Sequence, residues 1–241
     1  MAFQDVFQRF EKKYIITEEK YQILMKMLSK YVVPDKYGRS TICNIYYDTP
    51  DHRLIRKSLE KPIYKEKLRV RSYGIPDGNS TVFVELKKKY KGIVYKRRSD
   101  MTLDQSKAFF NDNFSAKKNV QIENELKYFL SYYNRIAPAM FISYERIAFY
   151  GIMDKSLRIT FDRKITYREN ELELDKGVWG SELLNPSQCL MEIKVPGAFP
   201  LWLSYMLDEL EIYPSSFSKY GKAYLKTKET KSKKDKVNNC A

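Results

Sequence analysis

Histidine, glycine and cysteine are scarce in this chain, and each shortage argues against a class of chemistry. Of 241 residues one is histidine, His52, set in the polar stretch DTPDHR, which reads as an exposed turn between a strand and a helix. A Ser-His-Asp triad and a histidine-rich zinc site are thereby disfavoured. The nine glycines include no GxGxxG and no GxxxxGK[ST], so any bound phosphate must be held by side chains rather than by a glycine-loop cradle. Cys43, Cys189 and Cys240 show no CxxC spacing, which points to free thiols in a reducing compartment, the cytoplasm. No apolar run approaches the ~20 residues of a membrane span, and MAFQDVFQRFEKKY at the start lacks the apolar core of a signal peptide.

What the chain has in abundance is positive charge and aromatic side chains. Forty-four Lys and Arg against 30 Asp and Glu give a net charge of +14, while 20 Tyr and 13 Phe are far too many for a disordered chain. Residues 226–241 hold six Lys against Glu229 and Asp235 and few apolar residues, so they read as a solvated, disordered tail behind one domain over 1–225. Most of the excess charge stays on that domain. An anionic partner follows: a phosphate-rich ligand, nucleic acid or an anionic membrane surface.

Alternation predicts strands at 9–16, 41–48, 64–74, 81–89, 93–101, 139–150, 157–163 and 188–194. Helical spacing predicts helices at 17–31, with Thr17 as cap, 51–60, 103–112, 121–136, 200–211 and 215–226. A turn at Lys91-Gly92 joins the strands at 81–89 and 93–101 into a hairpin. The polar faces of these strands carry eleven cations: Arg9, Lys13, Lys67, Arg69, Arg71, Lys87, Lys96, Arg98, Arg146, Arg158 and Lys194. They carry four acids, Glu11, Glu85, Asp162 and Glu192. An antiparallel sheet can show such a Lys/Glu face to water. Two features favour an interior instead. Amphipathic helices need the apolar sheet face as their cover, which turns the charged face inward as in a barrel. Arginine is also prominent, and its planar fork suits phosphate. Cations in such excess over carboxylates fit a polyanion with a divalent metal.

The stretches KEKLRVRSYG (65–74), VFVELKKK (82–89), YKRR (95–98), SYERIAF (143–149), LRITFD (157–162), CLMEIKVPGAFPLWL (189–203) and SFSKY (216–220) resemble the polyphosphate polymerase domain of the vacuolar transporter chaperone (VTC) family. That family is part of the triphosphate tunnel metalloenzyme, or CYTH-like, superfamily, and the resemblance spans about residues 5–225. It implies an α+β fold in which an eight-stranded antiparallel β-barrel forms the tunnel and helices pack outside. It also implies an ATP-dependent polyphosphate polymerase, binding ATP and polyphosphate or pyrophosphate with Mn2+ or Mg2+. The tunnel cations would be Lys13, Lys67, Arg69, Arg71, Lys87, Lys96, Arg98, Arg146 and Arg158, with Lys194 beside them and Lys219 of SFSKY near one end. Lys13, Arg69, Arg71, Lys87, Arg146, Arg158 and Glu192 would carry catalysis, and Glu192, Glu85 and Glu11 the metal.

Two departures accompany the resemblance. Hydrolytic relatives begin with E-x-E-x-K, where this chain has Arg9, Glu11 and Lys13. Loss of the first glutamate suits a transferase with a phosphate acceptor. Polymerase relatives commonly carry a basic residue where this chain has Ser58, leaving Arg56 and Lys57 as the neighbouring substitutes. The alternatives are a tripolyphosphatase or nucleoside triphosphatase in the same tunnel, and a noncatalytic polyanion- or RNA-binding module. No specific nucleic-acid partner is expected, and the Lys-rich tail is the place for a peripheral membrane contact.

Overall fold

The strand alternation organises one antiparallel sheet in the computed structural model, which describes residues 6–7, 10–111 and 120–238. In chain order the elements are β1 (Val6–Phe7), β2 (Phe10–Thr17), α1 (Glu18–Leu28), β3 (Val32–Asp48), α2 (Arg53–Leu59), β4 (Tyr64–Tyr73) and β5 (Thr81–Tyr90). Then come β6 (Ile93–Thr102), α3 (Leu103–Phe110), α4 (Val120–Tyr133), β7 (Ala137–Gly151), β8 (Arg158–Arg168), β9 (Ser181–Glu182), β10 (Gln188–Val195), α5 (Leu201–Glu209) and α6 (Lys219–Asn238). Local chemistry sets the boundaries. The Thr17 hydroxyl accepts from the Lys20 amide at 3.3 Å and caps α1. Thr102 and Gln105 exchange two bonds in a capping box that opens α3. Lys91 and Gly92 both take positive φ, 46° and 87°, as a two-residue hairpin loop between Tyr90 and Ile93 requires.

The sheet runs β1-β6-β5-β4-β3-β7-β8-β10-β2, with β9 added on β8. It curls enough to bring Glu11 of β2 within 3.9 Å of Lys87 of β5, but among the described residues its hydrogen-bond ladder does not close. The two ends, β1 and β2, are successive pieces of one stretch of chain, pairing with β6 and with β10 respectively. The expected α+β fold of an antiparallel sheet with helices is present, and the described part of the sheet is curled and open between β1 and β2 rather than closed into a barrel.

The convex face is apolar and covered as expected. Leu24 and Leu28 of α1 and Leu203 and Leu207 of α5 pack with Tyr14, Ile159, Phe161 and Ile193. Phe109 of α3 and Leu126 and Phe129 of α4 pack with Leu68, Val70, Val82, Val84 and Leu86. The remaining helices depart from the expectation of an exclusively outer layer. Ile55 of α2, with Phe217 and with Tyr220 and Tyr224 of α6, packs on Ile42, Tyr46, Ile142, Tyr144 and Leu190, which lie on the concave face.

Three further differences have local causes. Helix α1 stops at Leu28, short of the expected residue 31, and β3 begins at Val32, well before the expected 41–48, passing through a register irregularity between Pro34 and Arg39. Residues 226–238, expected to be disordered, continue α6. Lys and Glu are good helix formers, no Gly or Pro follows Gly221, and Thr227 is still buried. His52 caps α2 at φ 55° and is half-buried with its ring 5.2 Å from that of Tyr224, not exposed. Arg9 and Cys240 lie outside the described residues, as does position 112 of the expected third helix.

Candidate functional site

Alternation along the strands brings the charged residues together on the concave face. There they line a cavity of about 1020 Å³. Lys67, Arg69 and Arg71 come from β4, Lys87 from β5, Lys96 and Arg98 from β6, Arg146 from β7 and Arg158 from β8. Lys13 comes from β2, Lys194 from β10 and Lys219 from the first turn of α6. All eleven cations expected to face phosphate thus line one space, with four carboxylates, Glu11, Asp35, Glu85 and Glu192.

Two ion clusters organise the wall. In the first, the carboxylate of Glu85, 2% exposed, lies 2.8 Å from Arg69, 2.6 Å from Lys96, 3.6 Å from Arg98 and 3.9 Å from Arg71. Burial alone would raise the Glu85 pKa, but Arg69, Arg71 and Lys96 prevail and hold it well below the usual carboxylate range. Arg71 donates to Asn44 Oδ1 at 2.9 Å and to the Tyr144 hydroxyl at 3.2 Å, and Arg69 donates to the Tyr46 hydroxyl at 3.1 Å. These bonds fix the guanidinium planes. In the second cluster Arg146 grips Asp162 in a two-pronged pair at 2.6 and 2.7 Å, and Lys219 bonds to Asp162 and, at 3.2 Å, to Glu192. Burial opposes the ionisation of Glu192, yet Lys219, Lys13, Lys194 and Arg146 keep it a carboxylate.

Between the clusters the cations exceed their partners. Burial pushes Lys67 and Lys96 each down to about 8, Lys96 in spite of Glu85, and it lowers Lys87 as well. The buried donors Arg98 Nε, 3.6 Å from Glu85, and Arg158 Nε make no hydrogen bond among the described residues. A cavity with surplus, partly desolvated cations and idle guanidinium donors is built to take up an anion with several oxygens.

The predicted metal ligands divide. Glu11 and Glu192 flank the same two lysines, Lys13 at 3.3 and 3.6 Å and Lys194 at 3.7 Å from each. The pKa of Glu11 falls to about 2, where burial is overcome by Lys87, Lys194 and Lys13. Glu85 does not join them, because its oxygens are enclosed by the first cluster. No group of three His, Cys, Asp or Glu side chains converges as a metal site among the described residues. A divalent ion held by one or two carboxylates and completed by substrate phosphates needs no such group, so Glu11 and Glu192 fit that role.

Sequence reasoning missed Asp35, which faces Arg158 at 3.7 Å, and the positioning partners Asn44, Tyr46, Tyr144 and Ser218. Asp35 was hidden by the Pro34 and Gly38 context. Arg56 and Lys57 do not substitute for the missing basic residue at Ser58. They are exposed on α2, and Arg56 pairs with Asp51. Lys65, two residues before Lys67 on β4, donates to the Ser58 carbonyl at 3.3 Å.

The structure is thus a curled antiparallel sheet whose concave face carries a cation-lined cavity. The chain belongs to the VTC domain family, whose sequence model matches residues 8–228. Among solved structures, a Bacillus halodurans protein provisionally named an adenylate cyclase shares the fold at TM-score 0.56 and 13% identity, over 89% of this chain and 96% of that one. A Hippeastrum protein named as an adenylyl cyclase and described as having a dominant triphosphatase activity shares it at TM-score 0.51 and 15% identity, over 87% and 92%. No curated protein matches the sequence. No helix among the described residues is long and apolar enough to cross a membrane.

Proposed function

We propose that this protein is an ATP-dependent polyphosphate polymerase, transferring the γ-phosphoryl group of ATP to the end of a phosphate chain. The observation that carries this reading is the excess of cations over carboxylates in one cavity, in a chain of the VTC family. The chemistry needs no covalent intermediate. Arg69, Arg71 and Arg98 would bind and align one set of phosphates against Arg146, Arg158 and Lys219 on the other. Charge on the transferring group would be offset by guanidinium and ammonium groups already fixed by Glu85 and Asp162. Mg2+ or Mn2+ on Glu11 and Glu192, when bound, would supply further charge neutralisation on phosphate oxygens.

A second reading, hydrolysis in the same cavity, is supported by the triphosphatase activity ascribed to the Hippeastrum neighbour. One assay separates the two: purified protein with ATP and Mn2+, its products resolved on a gel. Polymer above the triphosphate supports the polymerase. Orthophosphate alone makes the protein a triphosphatase, and no turnover of ATP or tripolyphosphate would leave a binding module.

A further inference from the structure

A second cationic surface lies outside the cavity, where β4 begins and the β5–β6 hairpin turns. Lys65 pairs with Lys89 across the β4–β5 ladder and Tyr64 with Tyr90, while the Lys91 amide donates to the Ile63 carbonyl at 3.0 Å and draws the two turns together. Lys61, Lys65, Lys89 and Lys91 are thereby gathered at one end of the sheet, and none of the four forms an ion pair among the described residues. Burial and the neighbouring charges of Lys89 and Lys61 depress the Lys65 pKa. The acids nearby do little to compensate. Glu66 accepts from the hydroxyls of Tyr64 at 2.5 Å and Tyr133 at 2.6 Å, and Glu125 is shared by Lys88 and Arg97, which leaves the exposed Glu60. Apolar surface is set among these lysines. Ile63 is 68% exposed, Tyr128 70% and Tyr132 59%, and Tyr64 and Tyr90 are exposed as well. Tyr64 meets Tyr90 edge-on at 6.5 Å, Tyr128 stacks on Tyr132 at 6.2 Å, and the Lys91 ammonium group lies 5.5 Å from the Tyr90 ring. Burial and the Glu66 carboxylate raise the Tyr64 pKa, and Tyr132 and Tyr128 add to the rise, so the two tyrosine pairs are neighbours in one patch.

We propose that this end of the sheet docks on a bilayer of anionic lipid, with the four lysines on the headgroups and Ile63 and the tyrosines in the interfacial layer beneath. Charge and shape together select that occupant. Crowded lysines without acid partners complement a negatively charged lipid surface. Ile63 and the tyrosines would gain nothing from a free phosphate chain, which has no apolar atom, whereas tyrosine, with an apolar body and a polar tip, suits the boundary between lipid and water. A single-stranded nucleic acid would need ring faces free for its bases, but these four rings pair with one another. The surface is separate from the cavity, which none of Lys61, Lys65, Lys89 and Lys91 lines. It is separate also from the Lys-rich part of α6, where Lys226 donates to the Glu182 carbonyl and Lys231 pairs with Glu169.

Vesicle flotation of the full chain at physiological salt tests this, with vesicles of phosphatidylcholine alone and of phosphatidylcholine and phosphatidylglycerol in equal parts. The protein should float with the anionic vesicles and stay behind with the neutral ones. Lys61→Glu, Lys89→Glu and Lys91→Glu combined should weaken that partitioning at least ~tenfold, because each lysine near an anionic surface contributes separately. Ile63→Asp, a single change at an exposed position, should weaken it severalfold with the melting curve unchanged. Lys231→Ala with Lys233→Ala, on α6, should leave it as it was. Absence of flotation, or equal flotation with both lipids, would overturn the proposal. Undiminished binding by the triple variant and by Ile63→Asp, or a loss confined to the α6 variant, would do the same. Retention of a single-stranded RNA oligomer in place of vesicles would make the patch a nucleic-acid surface and overturn it too. The phosphate reading of the cavity stands or falls separately, on the product assay with ATP.

Discussion

Met140 and Ile142 lie on the same face of the same strand as Arg146, yet they belong to different worlds. The first two are sealed under α6 with Leu190 and Phe217, whereas Arg146 lines the cavity and pairs with Asp162. One concave face is thus divided into an apolar half that supplies stability and a charged half that supplies chemistry. The border is Lys219, whose helix packs on the first half and whose ammonium group enters the second. Substitutions in the two halves should have opposite signatures, and the comparison can be broken or sharpened on that basis.

The largest effects are expected where the apolar half is opened or its border cut. Phe217→Ala should cost about 3–5 kcal/mol through lost burial and the cavity left behind. Asp162→Ala, which removes the two-pronged partner of Arg146 and leaves Arg146 and Lys219 to share Glu192, should cost a similar ~3–5 kcal/mol. Denaturant unfolding of the ligand-free variants reads both, and losses under ~1 kcal/mol would mean that α6 is only loosely seated.

In the charged half the ranking reverses. Arg98 is stacked on the Phe83 ring, and its Nε makes no hydrogen bond, lying 3.6 Å from a Glu85 carboxylate that Arg69 and Lys96 already hold. Arg98→Ala is expected to leave the ligand-free melting temperature unchanged or slightly higher as like-charge repulsion falls. Tripolyphosphate binding should weaken about tenfold or more, the worth of one charge-assisted hydrogen bond. Differential scanning fluorimetry with and without tripolyphosphate separates the two effects.

Proton linkage gives a smaller signal from the same half. With Lys67 and Lys96 depressed to about 8 in the free protein and near the ordinary lysine value when unfolded, the fold is burdened by their charge below about pH 8. That burden is relieved between about pH 8 and the unfolded lysine range, so these two groups raise stability as pH climbs through that window. A bound polyanion favours the charged lysines. Binding at pH 8–9 should therefore take up protons, and affinity should decline as pH rises above 8. Calorimetry in buffers of different ionisation enthalpy measures the uptake; none at pH 8.5 would remove these lysines from the site.

The smallest effect is expected far out on α6. Lys231 meets Glu169 at 3.2 Å with 61% of its side chain exposed, and Lys231→Ala should change stability by less than ~1 kcal/mol. A larger loss would extend the stabilising half well beyond Thr227.

The division itself was only partly legible in the sequence. Period-two alternation on β4, β5 and β6 was enough to place Lys67, Arg69, Arg71, Lys87, Lys96 and Arg98 on one face, because a strand leaves a side chain only two directions. Alternation says nothing about how far along that face a helix will lie. Nothing in the alternation of β7 marks Met140 and Ile142, on the face of Arg146, as covered by α6, which reads as one more outer helix. The Lys-rich run is a related case: its low apolar content reads as disorder, whereas helix propensity and the anchored first turn of α6 continue the helix to Asn238. The separation of Glu85 from Glu11 and Glu192 was illegible as well, since it depends on which cations close around each carboxylate in three dimensions.

The central claim, that the charged half is a polyanion site set on a separately stabilised scaffold, is tested most directly by calorimetric titration of tripolyphosphate at physiological salt. The proteins to compare are the full chain and its Arg98→Ala variant, with melting curves of the ligand-free samples alongside. The account predicts one site per chain in the unsubstituted protein, at least tenfold weaker binding in the variant, and ligand-free melting curves that coincide or favour the variant. Equal tripolyphosphate affinity in the two proteins, or a variant that binds weakly because it has lost its fold, would contradict it.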